Sequence, residues 1–452
     1  MVVSKILFVL GLCLLSFLYG IGSVYFKVFP YEIVREAKIG LDAWLEILTD
    51  DQRFAYVDEA GQPRPQITWL DNASADDSYI LMTGDPYALI SECPEFGCLA
   101  WVMNRQGEVF HTWEVDFGEL WSDTPDHSGL KDHHNISPGG LHLFENGDLL
   151  ANFVSSSMFP FGIGMAKFDK DGNLIWKRAN LSHHWFSVAP DGTIYTPAHR
   201  LAASPLPLGH TKETLVCDGG RIYSDVVLVV NQDGDTVAEI SVLDLLIEQG
   251  FMGLLIDVDG CDPIHLNYVE YVTEDLAKAD RGLNEGDLII STLRQNMIAA
   301  IDGTTRKLKW VLAGKTAHQH SPRLLPDGSV IALDDRGGRK DLGGSRVIRV
   351  DYGGDVVENV FPRPDEDDSI NFYTENGGQI DPHPDGTRAL VSLTRQGRVL
   401  EIDLRQGRVL WELLNTHDPG PYADRLGAEP GQVLRMVARG AYYVGRPAFL
   451  NQ

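Results

Sequence analysis

Six similar hairpins, spread over residues 99–414, constrain the fold of this chain more than any other feature. Each contains an apolar run, a turn rich in Asp, Asn or Gly, and a second run that often ends in Trp. Regular recurrence of one supersecondary unit is typical of repeat architectures. The six segments are LAWVMNRQGEVFHTWEV, GMAKFDKDGNLIWKRA, VVLVVNQDGDTVAEISV, MIAAIDGTTRKLKWVLAG, RVIRVDYGGDVVENVFP and RVLEIDLRQGRVLWELL.

Another pair of β-rich runs precedes each hairpin, so the repeating unit contains four strands. One such sheet cannot bury both faces alone, whereas a closed ring of sheets buries them and leaves no long free edge. We therefore predict an all-β fold, a six-bladed β-propeller over residues 79–415. A pair of β-sandwiches is the alternative, but it does not readily explain six similar hairpins. Residues 416–452 then form a tail that closes the ring or packs beneath it.

A second repeat places histidines at one end of the inner strands. Counting back seven residues from the Asp or Asn of a PDG or ENG turn gives Gly139, His184, His320 and Gly378. Such turns fix the start of the next strand, so these positions are equivalent in successive repeats. Histidine in two repeats and glycine in two others indicate a shared surface, with a site built in part of it and space left beside it.

Two further segments bring polar side chains to the same end of the ring. DPIHLNYVEYV contains His265 and Asn267 at a strand start, and STLRQN contains Arg294 and Asn296 at a strand end. Alone, such a histidine is usually structural and such an arginine usually pairs at the surface, so the shared location carries the prediction. The predicted site contains His183, His184, His265, Arg294 and His320.

Imidazoles combined with a guanidinium favour an anionic ligand over a metal ion. Three imidazoles could bind a divalent cation, but the permanent charge of Arg294 disfavours one. Forked hydrogen bonds from arginine suit sulfate, phosphate or carboxylate. A neutral imidazole could attack the bound group while others donate to its oxygens or to the leaving group. We therefore predict a catalytic site without a metal.

The charge balance argues against nucleic acid as a partner. The 452 residues include Lys+Arg 38 and Asp+Glu 64, for a net charge of −26. Nucleic-acid binding requires a basic surface. An acidic balance is typical of a well-solvated surface, and it says little about the substrate.

The N-terminal segment predicts a membrane helix over residues 1–28. Residues 6–26 carry no charged side chain and lie between Lys5 and Lys27. This length can span a bilayer. It exceeds a usual signal-peptide core, and no clear A-x-A cleavage site follows. We favour an uncleaved signal anchor over a cleaved signal peptide, and both interpretations export the rest of the chain.

Residues 29–78 are predicted to connect this helix to the propeller. Apolar side chains at helical spacing predict a short amphipathic helix over residues 30–49. Residues 58–78 are rich in proline and aspartate, which predicts a linker. The apolar positions of the helix are Ile33, Ala37, Leu41, Leu45 and Leu48.

Four of the five cysteines lie outside the N-terminal helix, which contains Cys13. An even number in an exported domain fits two disulfides, with three connectivities. We favour the pairs Cys93–Cys98 and Cys217–Cys261. A zinc site is less well supported, since no CxxC pair or HxxH partner is present. Free thiols are the remaining alternative.

The segments QHSPRLLPDGSVIALDD, HHWFSVAPDG, IHLNYVEYV and STLRQN resemble the bacterial PAPS-independent arylsulfate sulfotransferases. The resemblance covers most of residues 80–415 and implies a six-bladed propeller of the periplasm. The implied reaction moves a sulfuryl group from an aryl sulfate to a phenol through a sulfated histidine, without PAPS or another cofactor. With the N-terminal anchor, it implies a single-pass inner-membrane protein whose propeller lies in the periplasm or at the cell exterior.

The resemblance also implies a role for each site residue. His320 matches the nucleophile, and His265 and Arg294 match residues that hold the sulfuryl oxygens. His184 matches a further histidine of this cradle, with His183 as the competing assignment. Three more residues are expected behind the site or facing the acceptor: Asn267, Asn296 and Trp185.

The chain departs from that family in two ways. It lacks a clear separate N-terminal β-domain, and LDDRGG stands where an Asp-Asn-Gly-like turn is expected. Two other functions therefore remain open: a membrane-tethered binding propeller without activity, and a hydrolase of an anionic ester that uses the same residues. The sequence predicts neither an oligomeric state nor a structural ion.

Overall fold

The computed structural model forms two compact units, residues 1–53 and residues 54–452. It describes residues 2–26, 28–31, 55–57, 67–71, 78–85, 88–89, 92–124, 136–155, 161–209, 211–218, 220–256, 258, 260–279, 282–338, 342–351, 357–363, 372–374, 377–424, 426, 428–429 and 431–451.

The first unit contains the helix Val2–Phe26. Its segment Lys5–Ser23 has a mean hydropathy of 2.2 and is long and apolar enough to cross a membrane. A signal sequence near an N-terminus meets the same criteria. The helix therefore agrees with the predicted anchor or signal segment. Most of the amphipathic helix predicted over residues 30–49 lies outside the described residues.

The second unit is a ring of six antiparallel sheets, which confirms the six-bladed β-propeller. From the innermost strand outwards, blade one contains Gly440–Val444, Tyr79–Thr83, Ala100–Asn104 and Val109–Trp113. In the same direction, blade two contains Ile136–Leu143, Leu149–Ser155, Gly162–Phe168 and Leu174–Arg178. Blade three contains Ser187–Val188, Ile194–Ala203, Arg221–Val230 and Thr236–Ser241.

The other three blades repeat this order. Blade four contains Leu266–Tyr271, Leu288–Thr292, Met297–Ile301 and Leu308–Ala313. Blade five contains Gln319–Leu324, Val330–Asp334, Arg346–Val350 and Val357–Phe361. Blade six contains Gln379–Pro382, Arg388–Leu393, Arg398–Asp403, Arg408–Leu414 and a fifth, outermost strand, Ile67–Trp69. The hairpins identified in the sequence form strands three and four of the six blades.

Two distant parts of the chain close the ring. The C-terminal strand Gly440–Val444 pairs with Tyr79–Thr83 and becomes the innermost strand of blade one. Ile67–Trp69 pairs with the outer strand of blade six, although the sequence places it inside a linker. With only three residues, this strand is too short for an alternation of apolar and polar side chains to be recognised in a stretch rich in proline. A separate small sheet joins Ala55–Val57, Leu434–Met436 and Thr416–His417.

Short strands and helices outside the ring complete the described structure. The pair Leu206–Pro207 and Thr214–Leu215 forms a two-stranded sheet. The α-helices are Phe117–Leu120, Val242–Glu248 and Glu274–Ala277. Ser241 begins the longest of these, since its hydroxyl accepts from the Asp244 amide at 3.2 Å.

Hydrophobic clusters fill all six interfaces between neighbouring blades. Successive side chains of a strand point to opposite faces of its sheet. Val226 and Leu228 accordingly pack towards blade two, whereas Val227 packs towards blade four. The tryptophans that end the hairpins add polar links, because Trp176 donates to the Gln232 carbonyl and Trp411 to the Arg105 carbonyl, both at 2.9 Å. Burial on both faces of each sheet is what holds the ring together.

Both favoured cysteine pairs form disulfides, Cys93–Cys98 and Cys217–Cys261, with Cα separations of 5.6 and 4.6 Å. The second disulfide joins the loop before His265 to the segment that precedes the third strand of blade three. Cys13 lies in the N-terminal helix and is exposed.

Candidate functional site

Three histidines meet where the inner strands of blades three, four and five begin. His184 lies just before Ser187–Val188, His265 directly precedes Leu266–Tyr271, and His320 is the second residue of its strand. The ring centroids of His184 and His265 are 5.2 Å apart, and those of His184 and His320 are 6.4 Å apart. The turns identified in the sequence therefore bring imidazoles from consecutive blades to one end of the ring.

The backbone at this end adopts conformations that residues other than glycine rarely take. His184, His265, Asn296 and His318 have φ values of 54°, 53°, 47° and 58°. Each left-handed residue of this kind costs about 1–3 kcal/mol. Such strain persists only where the surrounding fold enforces it, and it concentrates at functional sites. Four such residues around three imidazoles indicate that packing, rather than local preference, sets the histidine positions.

Glycine is required beside His184. A Cβ atom on Gly139 would lie 3.0 Å from the His184 carbonyl oxygen. A Cβ atom on Gly140 would lie 2.9 Å from the Cα atom of Trp185. The Gly140 amide instead donates to the His184 carbonyl at 2.9 Å. The glycines of blade two thus leave the space that the backbone of His184 occupies.

Each of the three histidines uses Nδ1 for a contact with the protein. His184 Nδ1 lies 2.8 Å from His183 Nδ1, and His265 Nδ1 lies 2.6 Å from Asp262 Oδ2. His320 Nδ1 lies 3.0 Å from the His318 carbonyl oxygen. The opposite ring nitrogen, Nε2, is thereby directed away from these partners. Three Nε2 atoms can therefore act on a ligand bound between the rings.

Asp262 connects His265 to Arg294. Its buried carboxylate accepts from His265, and the same oxygen, Oδ2, lies 3.4 Å from Arg294 Nη2. Arg294 Nε also donates to the Asp262 carbonyl at 3.2 Å. One aspartate therefore orients a ring and a guanidinium, and the Cys217–Cys261 disulfide ends immediately before it.

His320 is nearly buried and is backed by a carboxylate. Its Nδ1 atom lies 2.9 Å from Asp335 Oδ2, besides the His318 carbonyl. The carbonyl is the hydrogen-bond acceptor, and among the described residues Asp335 Oδ2 accepts no hydrogen bond, so the carboxylate acts mainly through its charge. Both partners favour a proton on Nδ1 and a lone pair on Nε2, the form in which an imidazole is a nucleophile.

The remaining predicted residues surround these rings. Asn267 donates through Nδ2 to the Gln319 carbonyl at 2.8 Å, which ties blade four to the strand of His320. Asn296 accepts from the His318 amide at 2.8 Å and fixes the loop before that strand. Trp185 places its ring 6.1 Å from that of His320. Both asparagines therefore brace the backbone, whereas Trp185 contacts a ring of the site.

A second layer of buried groups lies behind His184. The rings of His183 and His199 lie 4.1 Å apart between centroids at an interplanar angle of 36°, and His199 Nδ1 lies 2.6 Å from Asp225 Oδ1. The Phe161 ring contacts four imidazoles, at 5.1–5.3 Å from those of His183, His184, His199 and His265. This aromatic ring therefore packs against histidines of both layers.

The inner histidines are neutral at neutral pH. Burial lowers the pKa of His183 from 6.5 to about 4, helped by the charge of His199 and opposed by Asp225. Burial also lowers the pKa of His184 well below 6.5, and the neighbouring imidazoles lower it further. Burial alone would raise the pKa of Asp225, but the charges and hydrogen bonds of His199 and His183 lower it well below its usual value. His183 and His184 are therefore neutral imidazoles beside the ionised carboxylate of Asp225.

His183, His199 and Asp225 offer ligand atoms within 4.8 Å of one another, a spacing that could hold a metal ion. Two ligands of a tetrahedral zinc site lie about 3.4 Å apart, given bond lengths near 2.0–2.1 Å. The 2.6 Å separation of His199 Nδ1 and Asp225 Oδ1 is shorter than this and matches a charge-assisted hydrogen bond. We therefore interpret His199 and Asp225 as a hydrogen-bonded pair, with His183 beside it at 3.6 Å.

The acidic partners of the histidines were not predicted from the sequence. Asp225 lies opposite His199 on the paired strand of blade three, whereas Asp262 and Asp335 lie in loops beside their histidines in blades four and five. A local signal exists for two of them. Asp262 stands three residues before His265, and Asp335 directly follows the strand that pairs with that of His320.

Comparison with known proteins gives one functional match. Residues 140–416, more than half of the chain, match the family model described as Arylsulfotransferase (ASST). No curated protein matches the chain.

The similar solved structures share little sequence with this chain. A protein of unknown function from Bacteroides caccae is 10% identical, with a TM-score of 0.45, covering 82% of this chain and 99% of that chain. A nidogen/laminin complex is 8% identical, with a TM-score of 0.43, covering 81% and 98%. Virginiamycin B lyase from Staphylococcus aureus is 10% identical, with a TM-score of 0.35, covering 61% and 69%. Similarities this weak say nothing about the activity of this chain.

Proposed function

Since the chain belongs to the arylsulfotransferase family, we propose that it transfers a sulfuryl group from an aryl sulfate to a phenol through a sulfo-histidine on His320. Family membership supports aryl sulfotransfer in general. The observation that carries the finer proposal is the meeting of three imidazoles, each with Nδ1 engaged, beside an arginine held by Asp262. Such a site offers a nucleophile together with cationic and hydrogen-bonding groups for an anionic substrate.

In the first half-reaction, the lone pair of His320 Nε2 attacks sulfur. The bond between sulfur and the phenolic oxygen breaks, and a phenolate leaves with the electron pair. Arg294 binds the sulfuryl oxygens, whose negative charge an arginine fork accommodates well. His265 binds them through Nε2 as an imidazolium, with its Nδ1 proton held by Asp262. The sulfated imidazole keeps its Nδ1 proton and carries a positive charge, which Asp335 at 2.9 Å stabilises.

In the second half-reaction, the acceptor phenol attacks the sulfur of the sulfo-histidine. The new oxygen–sulfur bond forms as the nitrogen–sulfur bond breaks, and the electron pair returns to His320 Nε2. The phenolic proton passes to a neighbouring imidazole. Donor and acceptor therefore use the same site in turn, which gives ping-pong kinetics.

No step of this proposal requires PAPS or another cofactor, because the donor itself supplies the sulfuryl group. We propose that the N-terminal helix anchors the protein in the inner membrane and that the propeller lies in the periplasm or outside the cell. The apolar segment Lys5–Ser23 supports the anchor. The two disulfides support an oxidising compartment.

A transfer assay tests the proposed function directly. The full chain in detergent, supplied with 4-nitrophenyl sulfate and a phenol but no PAPS, should release nitrophenol and sulfate the acceptor. His320→Ala should reduce the rate by about 10⁴-fold or more, because it removes the nucleophile. Arg294→Ala should reduce it by about 100-fold or more, because it removes charge stabilisation of the transition state. His383→Ala, in the turn of blade six, serves as the matched control and should keep activity.

The same assay separates the alternatives. A hydrolase would release inorganic sulfate at the same rate with and without the phenol, and would form little aryl sulfate. A binding propeller would bind an aryl sulfate without turnover, and its affinity would not depend on the His320 nucleophile. Undiminished transfer by His320→Ala would contradict the proposed mechanism.

A further inference from the structure

The proposed reaction leaves a buried chain of groups behind His184 without a role. The rings of His199 and His183 lie beside each other and both face Asp225 Oδ1, and His183 contacts His184 through Nδ1. All three side chains are at most 4% exposed. Buried polar groups of this kind are costly unless their protons are arranged to match. The arrangement of those protons determines what His184 can do.

Asp225 determines which nitrogen atoms of His199 and His183 carry a proton. Its Oδ2 atom accepts from the Leu266 amide at 2.5 Å, and its Oδ1 atom accepts from His199 Nδ1 at 2.6 Å. Oδ1 also lies 3.6 Å from His183 Nε2. This separation is too long for a hydrogen bond, so charge governs the contact. A buried carboxylate attracts an N–H group and repels a lone pair, which favours the proton on Nε2.

The proton on His183 Nε2 decides the state of the next ring. A neutral imidazole carries one N–H, so His183 Nδ1 presents a lone pair. His184 Nδ1, at 2.8 Å, must then be the donor in the contact between the two rings. His184 Nε2 is consequently a lone pair, and within the described residues no hydrogen bond of the protein reaches it. This atom accepts a proton; it cannot donate one to a sulfuryl oxygen.

We propose that Asp225, with His183 and His199, is a positioning group that fixes the tautomer of His184 and makes His184 the general base for the incoming phenol. This inference rests on the proposed function. During the second half-reaction the phenolic proton passes to His184 Nε2 while the oxygen–sulfur bond forms. The electron pair of the nitrogen–sulfur bond returns to His320. The negative charge of the sulfuryl group offsets the cost of charging the partly buried imidazole of His184.

The variant Asp225→Asn should reverse the donor and acceptor roles in the contacts that run from Asp225 through His183 to His184. The Leu266 amide requires an acceptor, so the asparagine must present its carbonyl oxygen there and its NH₂ group to the histidines. His199 and His183 would then present lone pairs to that NH₂ group. His183 Nδ1 would carry the proton, and His184 would carry its own on Nε2. The side chain keeps its shape, so a base becomes a donor with little change in packing.

Half-reaction kinetics of the full chain test this inference. With 4-nitrophenyl sulfate alone, Asp225→Asn should release the same nitrophenol burst as the wild type, because the first step uses only the His320 lone pair. Transfer to a phenol that is protonated at the assay pH should fall by about 100-fold, the usual contribution of a general base. Transfer to a phenol that is already ionised should remain near the wild-type rate. Asp235→Asn, an exposed carboxylate of the same blade paired with Arg178, is the control.

Histidine ¹⁵N NMR measures the tautomer of His184 directly and does not depend on activity. The chain has 14 histidines, and a His184→Gln variant assigns the relevant signals. In the wild type, Nε2 of His184 should show the signature of a lone pair, and in Asp225→Asn that of an N–H group. Circular dichroism and thermal melting check that the variant is folded.

Three results would overturn the inference. The first is an equal loss of transfer to protonated and ionised phenols, and the second is an unchanged His184 tautomer in Asp225→Asn. The third is a stoichiometric metal ion that copurifies, binds these three residues and is removed by a chelator with loss of activity. A wild-type protein with no burst and no transfer would instead defeat the proposed function, while the NMR arm would still decide the tautomer.

Discussion

The inner strands of blades four and five carry two polar clusters of opposite design. At their starts stand His265 and His320, neighbours of His184, each with Nε2 left for a ligand. Towards their ends, Arg323 donates to Glu270 at 2.9 Å and to Asp381 of blade six at 2.7 Å. The Leu324 and Tyr443 amides bind the other oxygen of each carboxylate. We call the second group the ionic cluster.

The ionic cluster stabilises the ring, whereas the histidines form the candidate site, although both lie on the innermost strands. Every carboxylate oxygen of the ionic cluster has a donor, and the cluster joins blades four, five, six and one. The histidine end keeps unused lone pairs and several strained backbone positions. Natural proteins accept such strain where it serves a site and compensate for it elsewhere.

Breaking the ionic cluster should give the largest loss of stability. Arg323→Met leaves two carboxylates without their cation, which costs about 3 kcal/mol, the low end for a buried pair, since the arginine side chain is 22% exposed. Denaturant unfolding of the full chain measures the loss. Arg178→Met, in an exposed pair with Asp235, should cost less than about 0.5 kcal/mol. Adding Glu270→Gln and Asp381→Asn to Arg323→Met should restore part of the stability; no recovery would contradict this role of the cluster.

Changing Asp262 should affect activity rather than stability. Asp262→Asn can keep the hydrogen bond to His265 but loses the charge that faces Arg294. We expect kcat/KM to fall by about 30-fold, equivalent to about 2 kcal/mol. Asp262→Ala loses the hydrogen bond as well and should fall further. Equal activities of the two variants would mean that only the charge matters, and wild-type activity in both would exclude Asp262 from the site.

The two clusters should respond to pH with opposite signs. Burial lowers the pKa of His183 to about 4, so between that value and 6.5 the unfolded chain binds a proton that the folded chain does not, and stability falls as the pH falls. Burial raises the pKa values of Glu270 and Asp381, although Arg323 lowers them. The folded chain then keeps protons that the unfolded chain has lost, and stability falls as the pH rises above the ordinary carboxyl values.

Thermal melts from pH 4.5 to pH 7 test this difference in sign. We expect the change in Tm over this range to differ between proteins by about 2–3 °C, a smaller effect than those above. His183→Gln should lose less stability than the wild type on acidification. Arg323→Met should lose more stability as the pH rises, because both carboxyl pKa values increase without the cation. His142 and His417, whose pKa values burial also lowers to about 4, act equally in all three proteins. Parallel curves for the three proteins would contradict both assignments.

Local sequence patterns were sufficient for the ring but not for its polar clusters. Six similar hairpins predicted six blades, and turn spacing predicted the equivalent places of His184 and His320, because a turn and the strand beside it are set by nearby residues. The pairing of Arg323 with Asp381 depends on contact between blades. The approach of Asp225 to His199 and His183 depends on the pairing of strands that lie more than 20 residues apart. The strand Ile67–Trp69 is similar, since it exists only because blade six offers it an edge.

Peptide mapping by mass spectrometry after brief treatment with 4-nitrophenyl sulfate, without acceptor, tests the proposed nucleophile most directly. We expect one added sulfuryl group on the wild-type chain, located on His320 and removed when a phenol is supplied. A sulfuryl group on another residue, or an unmodified His320 in protein that is actively transferring sulfate, would contradict a sulfo-histidine at this position.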